Sequence, residues 1–117
     1  MTIRNALASV PVRELAAALA WYEKLLGRPP DSQPMSEVAE WKFERGGWLQ
    51  VYAAKERAGG GSVTLAVDDI DAQIATLRRV GIDPGRTLEG KARVVMINDP
   101  DGNSIAFAEA RDPRLAA

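Results

Sequence analysis

The 117-residue chain contains neither histidine nor cysteine. Those two absences set the limits of its chemistry. Histidine is the commonest general base and transition-metal ligand at neutral pH, and without it no Ser-His or Cys-His nucleophile scheme can be built. Without cysteine there are no disulfides, no zinc–thiolate sites and no thiol nucleophiles. Proton transfer falls to Asp, Glu, Lys, Arg, Tyr, Ser or Thr, and a metal would find only oxygen or amide ligands. Glu40 and Tyr52 are the weak candidates for an acid or base, and neither brings a visible partner. A solvated strand charge is the simpler account of Glu40. No cofactor site is expected: the glycines Gly59-Gly60-Gly61 are not followed by the Lys-Ser/Thr of a phosphate loop.

The aromatic and amide residues offer binding chemistry instead. Trp41 and Trp48 flank Gly46-Gly47, with Gln50 and Tyr52 just beyond. Ligand pockets are mostly apolar or aromatic with a few placed polar groups, and aromatic walls suit flat molecules. The same residues also suit packing or a dimer interface. Trp21 falls at helical spacing and reads as core. Arg57, Lys91 and Arg93 fall near loops where they could attract an anionic group.

Composition bounds the class of protein. At 46% hydrophobic and 26% charged residues the chain is an ordinary globular sequence. Its net charge is -1, with both signs interspersed, so no basic face points to nucleic acid. No stretch reaches the roughly 18 apolar residues of a membrane span. No long apolar signal region follows Met1. A cytoplasmic protein is the expectation.

The elements that must position these residues come in two copies. Residues 6–12 read as a short strand. A helix follows over 13–26, with Leu15, Leu19, Tyr22 and Leu26 at helical spacing and Gly27 as its stop. Residues 62–67 are again a strand, followed by a helix from 69 with Ile70, Ile74, Leu77 and Val80 inward, Gly81 closing it and Asp68 as the candidate N-cap. Val12, Leu15, Leu19 and Tyr22 match Val67, Ile70, Ile74 and Leu77 at a constant offset of 55. An internal repeat of half the chain is an organisational signal. Each copy then has antiparallel strands: 37–45 and 48–54 around Gly46-Gly47, and 92–98 and 104–109 around Asp99-Pro100-Asp101-Gly102-Asn103. Short edge strands near 29–34 and 83–89 are weaker, because prolines and glycines interrupt them. The domain divides into module one (5–54), a glycine-rich flexible linker (55–61) and module two (62–110), with a frayed tail beyond.

This twice-repeated order, with the run from Trp21 to Gly27 and the closing DPDGNSIAF hairpin, resembles the vicinal oxygen chelate superfamily of glyoxalase, bleomycin-resistance and dioxygenase-like proteins. The resemblance covers roughly residues 6–110. It implies an α+β fold in which two strand-helix-strands modules form a curved, mostly antiparallel sheet around a cleft. It also implies a homodimer, with modules either side by side or exchanged across the linker.

In such enzymes each copy places one metal ligand on its first strand and one on its last. The matching positions here are Leu7 and Gln50 in module one, and Ser62 and Ala106 in module two. Leu and Ala offer no lone pair, and Gln and Ser are weak neutral ligands, so no metal is expected. Strand alternation then places Trp48, Gln50 and Tyr52 on the cleft, with Ser62, Thr64, Ala66, Ser104, Ala106 and Ala108. On 37–45 two faces are open: either Glu40 and Lys42 point inward, or Trp41 and Phe43 do. The expected ligand-binding set is Trp41, Trp48, Gln50, Tyr52, Ser62, Thr64 and Ala106. The expected function is metal-independent binding of a small aromatic or planar compound, as in the drug-sequestering relatives. The alternatives are a metal-free lyase, isomerase or hydrolase of the same superfamily using Glu40 or Tyr52, a metal site misread through a one-residue register slip that would bring in Glu109 or Glu40, and an interaction module or subunit whose cleft is vestigial.

Overall fold

The computed structural model describes residues 2–90 and 92–110. Lys91 and the tail after 110 lie outside them. Ten elements follow the duplicated order. Module one contains β1 (Leu7–Val12), α1 (Leu15–Leu26), β2 (Ser32–Met35), β3 (Val38–Lys42) and β4 (Trp48–Ala53). Module two contains β5 (Ser62–Ala66), α2 (Ile70–Arg79), β6 (Thr87–Glu89), β7 (Ala92–Asn98) and β8 (Ser104–Ala110). The strands form two four-stranded sheets of the same topology, ordered β1-β4-β3-β2 and β5-β8-β7-β6. β1 pairs with β4, and β5 with β8, in parallel; the other pairings are antiparallel. In each module the helix carries the chain from the first strand to the far edge of the sheet, and the next two strands return it to pair in parallel with the first.

β1 lies against β5, so the two modules meet along their first strands. One contiguous core runs beneath both sheets on the helix side, from Val10, Val12, Leu49 and Val51 to Val63, Ile105 and Phe107. Tyr22 and its repeat partner Leu77 are both fully buried there. Burial alternates along the strands with period two, as it must when only one face of a sheet is covered. Leu49 and Val51 are buried whereas Trp48, Gln50 and Tyr52 are half-exposed. Ile105 and Phe107 are buried whereas Ser104, Ala106 and Ala108 are half-exposed.

Two local readings are corrected. The N-cap of α2 is Asp69, one residue later than expected; its carboxylate accepts from the N–H groups of Asp71 (3.0 Å) and Ala72 (3.2 Å). Glu109 on β8 takes up the N–H of Ile70 at 2.6 Å, so a strand side chain helps cap the helix. The segment 55–61 is a series of tight turns closed by backbone hydrogen bonds, and its glycines meet the rest of the fold closely. Gly59 has φ of 90°, and a side chain there would strike the Asp101 carbonyl. A Cβ at Gly61 would lie 2.8 Å from Pro11 Cδ and 2.9 Å from Asn103 Oδ1. These glycines permit close approach between modules, which composition alone does not distinguish from a loose tether.

Candidate functional site

The helices cover one side of both sheets and leave the other open. Register places three rows across module one on that open face: Pro11, Tyr52 and Val38; Ser9, Gln50 and Glu40; Leu7, Trp48 and Lys42. In module two the equivalent rows include Thr64, Ala106 and Met96, then Ala66, Ala108, Val94 and Leu88. Large apolar side chains are exposed on this face: Leu7 (52%), Met35 (64%), Leu88 (42%) and Met96 (46%). Apart from Ile3 near the N-terminus, these are the exposed large apolar residues among the described ones. Leu7, Met35, Leu88 and Met96 lie on four different strands of the two sheets.

The middle row of module one is a hydrogen-bonded chain. Ser9 Oγ donates to Gln50 Oε1 at 3.1 Å, and Gln50 Nε2 donates to Glu40 Oε2 at 2.9 Å. Beside it, the Lys42 ammonium lies over the Trp48 indole, 5.9 Å from the ring centroid. Tyr52 occupies the next row and its hydroxyl makes no hydrogen bond among the described residues. The wall thus offers an indole, a phenol, an oriented amide and a carboxylate. The open face of module two carries Thr64 and Ala106, which are small, and Met96, which adapts in shape.

The ambiguity on β3 resolves with Glu40 and Lys42 on the open face. Trp41 is therefore withdrawn from the expected ligand-binding set. It is fully buried on the helix side, its Nε1 donates to the Arg28 carbonyl at 3.0 Å, and its ring lies 6.1 Å from that of Tyr22. Alternation forces this, because Trp41 shares a face with buried Ala39. Trp21 is half-buried and meets Tyr22 edge-on at 4.9 Å. Arg57 is exposed, and Arg93 is committed to Asp71 and Glu89, which ties β7 to α2 and β6. Through that hydrogen-bonded pair Arg93 holds the Asp71 carboxyl below its usual range.

The fold family implies a metal between the modules, and the residues do not fit one. Gln50 is engaged by Ser9 and Glu40, while Leu7 pairs with Trp48 in the neighbouring row. In module two Ala106 lies opposite Thr64, and Ser62 lies opposite Ser104. These side chains supply at most neutral hydroxyl and amide oxygens beside one carboxylate, too weak a set for a divalent ion. Among the described residues no group of three or more acidic side chains is placed to hold a metal. Glu109 is spent on the α2 cap.

A second concavity, of about 300 Å³, lies on the helix side between the start of α1 and the turn after β7. Arg13, Glu14, Tyr22, Asp99 and Asp101 line it. Its buried polar groups are already satisfied internally. The buried Asp99 carboxylate accepts from the Tyr22 hydroxyl (2.8 Å), Asn103 Nδ2 (2.8 Å) and the N–H groups of Asp101 (3.0 Å) and Asn103 (2.9 Å). Asn103 also donates to the Pro11 carbonyl at 2.7 Å and accepts from the Gly61 N–H at 2.7 Å. This is the seam between modules: its buried polar groups are spent on one another, while the exposed Arg13 and Glu14 are the lining side chains outside that network. Sequence reasoning placed Asp99 to Asn103 as a structural turn and missed Tyr22 as its partner, because the contact spans 77 residues.

Comparison with known proteins accords with this architecture. No helix among the described residues is long and apolar enough to cross a membrane. Among solved structures, a glyoxalase/bleomycin resistance protein from Catenulispora acidiphila superposes with a TM-score of 0.83 at 36% identity, covering 91% of this chain and 97% of that one. An antibiotic binding protein from a Streptomyces species superposes with a TM-score of 0.78 at 26% identity, covering 94% and 98%. A bleomycin-binding protein complexed with bleomycin has the same fold, with a TM-score of 0.72 at 18% identity, covering 94% and 100%. No curated protein sequence matches. The family model of the Glyoxalase/Bleomycin resistance protein/Dioxygenase superfamily matches residues 5–107, and the chain belongs to that superfamily.

Proposed function

We propose that the protein binds a small planar or aromatic molecule on the open face of its sheets, without a metal and without catalysis. The observation that carries this reading is the row of half-exposed Trp48, Gln50 and Tyr52 set among exposed Leu7, Met35, Leu88 and Met96. A flat apolar ligand would cover that surface and stack on the indole, while the amide row orients it. Ser62, Thr64 and Ala106 are small residues on the open face of module two and would leave room for the ligand. The antibiotic binding protein and the bleomycin-binding protein share this fold, which favours a binder. Gln50 orients Glu40, yet neither Glu40 nor Tyr52 is hydrogen-bonded to a second acid, base or nucleophile among the described residues, as paired acid–base catalysis needs. A second copy of the chain would complete the enclosure, and we expect a homodimer, tested by analytical ultracentrifugation.

A thermal-shift panel tests the reading with planar antibiotics, divalent metals and small keto-acids. A ligand at about 100 times its Kd adds roughly 2.7 kcal/mol, on the order of 10 °C in a domain of this size. The expected result is a shift with a planar compound that Trp48→Ala abolishes. A strong shift with a divalent metal alone contradicts it.

A further inference from the structure

Resting on the reading above, we infer that the site selects planar organic cations, and that Glu40 is the residue that selects them. The Ser9–Gln50–Glu40 chain orders a carboxylate on the open face. Gln50 is held at both ends, and turning its amide over would set its oxygen against the Glu40 carboxylate. Glu40 is half-buried and uses Oε2 for Gln50, which leaves Oε1 without a partner among the described residues. The neighbouring cation on the same face, Lys42, is directed elsewhere, over the Trp48 ring. The face therefore carries an indole whose π surface holds an ammonium, next to a carboxylate that forms no ion pair among the described residues.

One ligand chemistry satisfies both. A flat cation stacked on Trp48 would take the place of the Lys42 ammonium over the ring and direct an N–H to Glu40. Trp48 pairs with Lys42 and Gln50 with Glu40, so Trp48 and Glu40 are diagonal neighbours across β3 and β4, about 7–8 Å apart, the reach of a two- or three-ring heterocycle. The row of Thr64, Ala106 and Met96 on the open face of module two bears no charge that would compete. Lys42 itself makes a poor anion site, because it is exposed and its long side chain would have to be ordered on binding.

The test is calorimetric titration of the full chain with 9-aminoacridine, a planar cation with an exocyclic N–H, and anthracene-9-carboxylate, a planar anion of the same three-ring size. Wild type should bind the cation at least about tenfold more tightly, as a charge-assisted hydrogen bond implies. Glu40→Gln should keep both ligands and bring the ratio towards one. Glu44→Gln, which makes the same change in net charge on an exposed residue away from the rows, should leave the ratio alone. Lys42→Gln should hold or raise cation affinity, and keeps the question open to measurement if Glu40→Gln folds poorly. Equal affinities in wild type, preference for the anion, or a ratio unchanged by Glu40→Gln overturns the inference. If Trp48→Ala still weakens both compounds in that case, the planar-binder reading survives. If neither compound binds wild type, both readings fall together.

Discussion

Two tryptophans that look alike in the sequence have opposite fates. Trp41 is fully buried with its N–H satisfied, whereas Trp48, at the start of the next strand, is half-exposed. Trp41→Ala should cost about 3–5 kcal/mol of stability, the range for emptying a buried aromatic site. Trp48→Ala should cost about 1 kcal/mol or less, since little of its contact is with the core. Urea denaturation midpoints of the two variants give the comparison, and equal losses would reverse the assignment of faces. Tyr22 carries a second prediction. Burial, and then its hydrogen bond to Asp99, push its hydroxyl far above the usual phenol range. The unfolded chain releases that proton near pH 10. Stability from Tyr22 is therefore present in full below about pH 10 and declines as pH rises beyond it. Tyr22→Phe should lose about 1–3 kcal/mol at neutral pH and show a shallower alkaline decline, followed by denaturation between about pH 8 and 11.

At the scale of elements, the duplicated strand–helix order was legible because periodicity and glycine stops are local signals. Leu15, Tyr22 and Leu25 bury at helical spacing, and Gly27 ends α1 in the left-handed region. Strand alternation likewise placed Trp48, Gln50 and Tyr52 on one face and Leu49 and Val51 on the other. The face of β3 was not legible, because both of its alternating sets contain residues suited to a pocket. Nor was the α2 cap: Asp68 and Asp69 are adjacent, and backbone geometry with Glu109 on a distant strand decides between them. The 55–61 segment shows the same limit, since close approach and looseness both select glycine. Gly61→Ala should cost about 1–3 kcal/mol, because its Cβ would press on Pro11 and Asn103. A midpoint unchanged by that substitution would mean that the seam yields.

For the molecule as a whole, two repeated modules place their helices over one shared core and leave both sheets bare on the other side. The candidate site is a product of that architecture, since contact between β1 and β5 sets the bare face of one module's sheet beside that of the other. Sequence named most of the wall residues, yet the Ser9–Gln50–Glu40 chain depends on cross-strand register, which a single sequence does not reveal. The most direct test of the binding reading is amide chemical-shift mapping during titration with a planar compound that raises the melting temperature. The account predicts that shifts gather on Ser9, Glu40, Trp48, Gln50, Thr64 and Ala106. Shifts gathered instead on Arg13, Glu14 and Asp101 would place the ligand in the helix-side concavity and contradict the account.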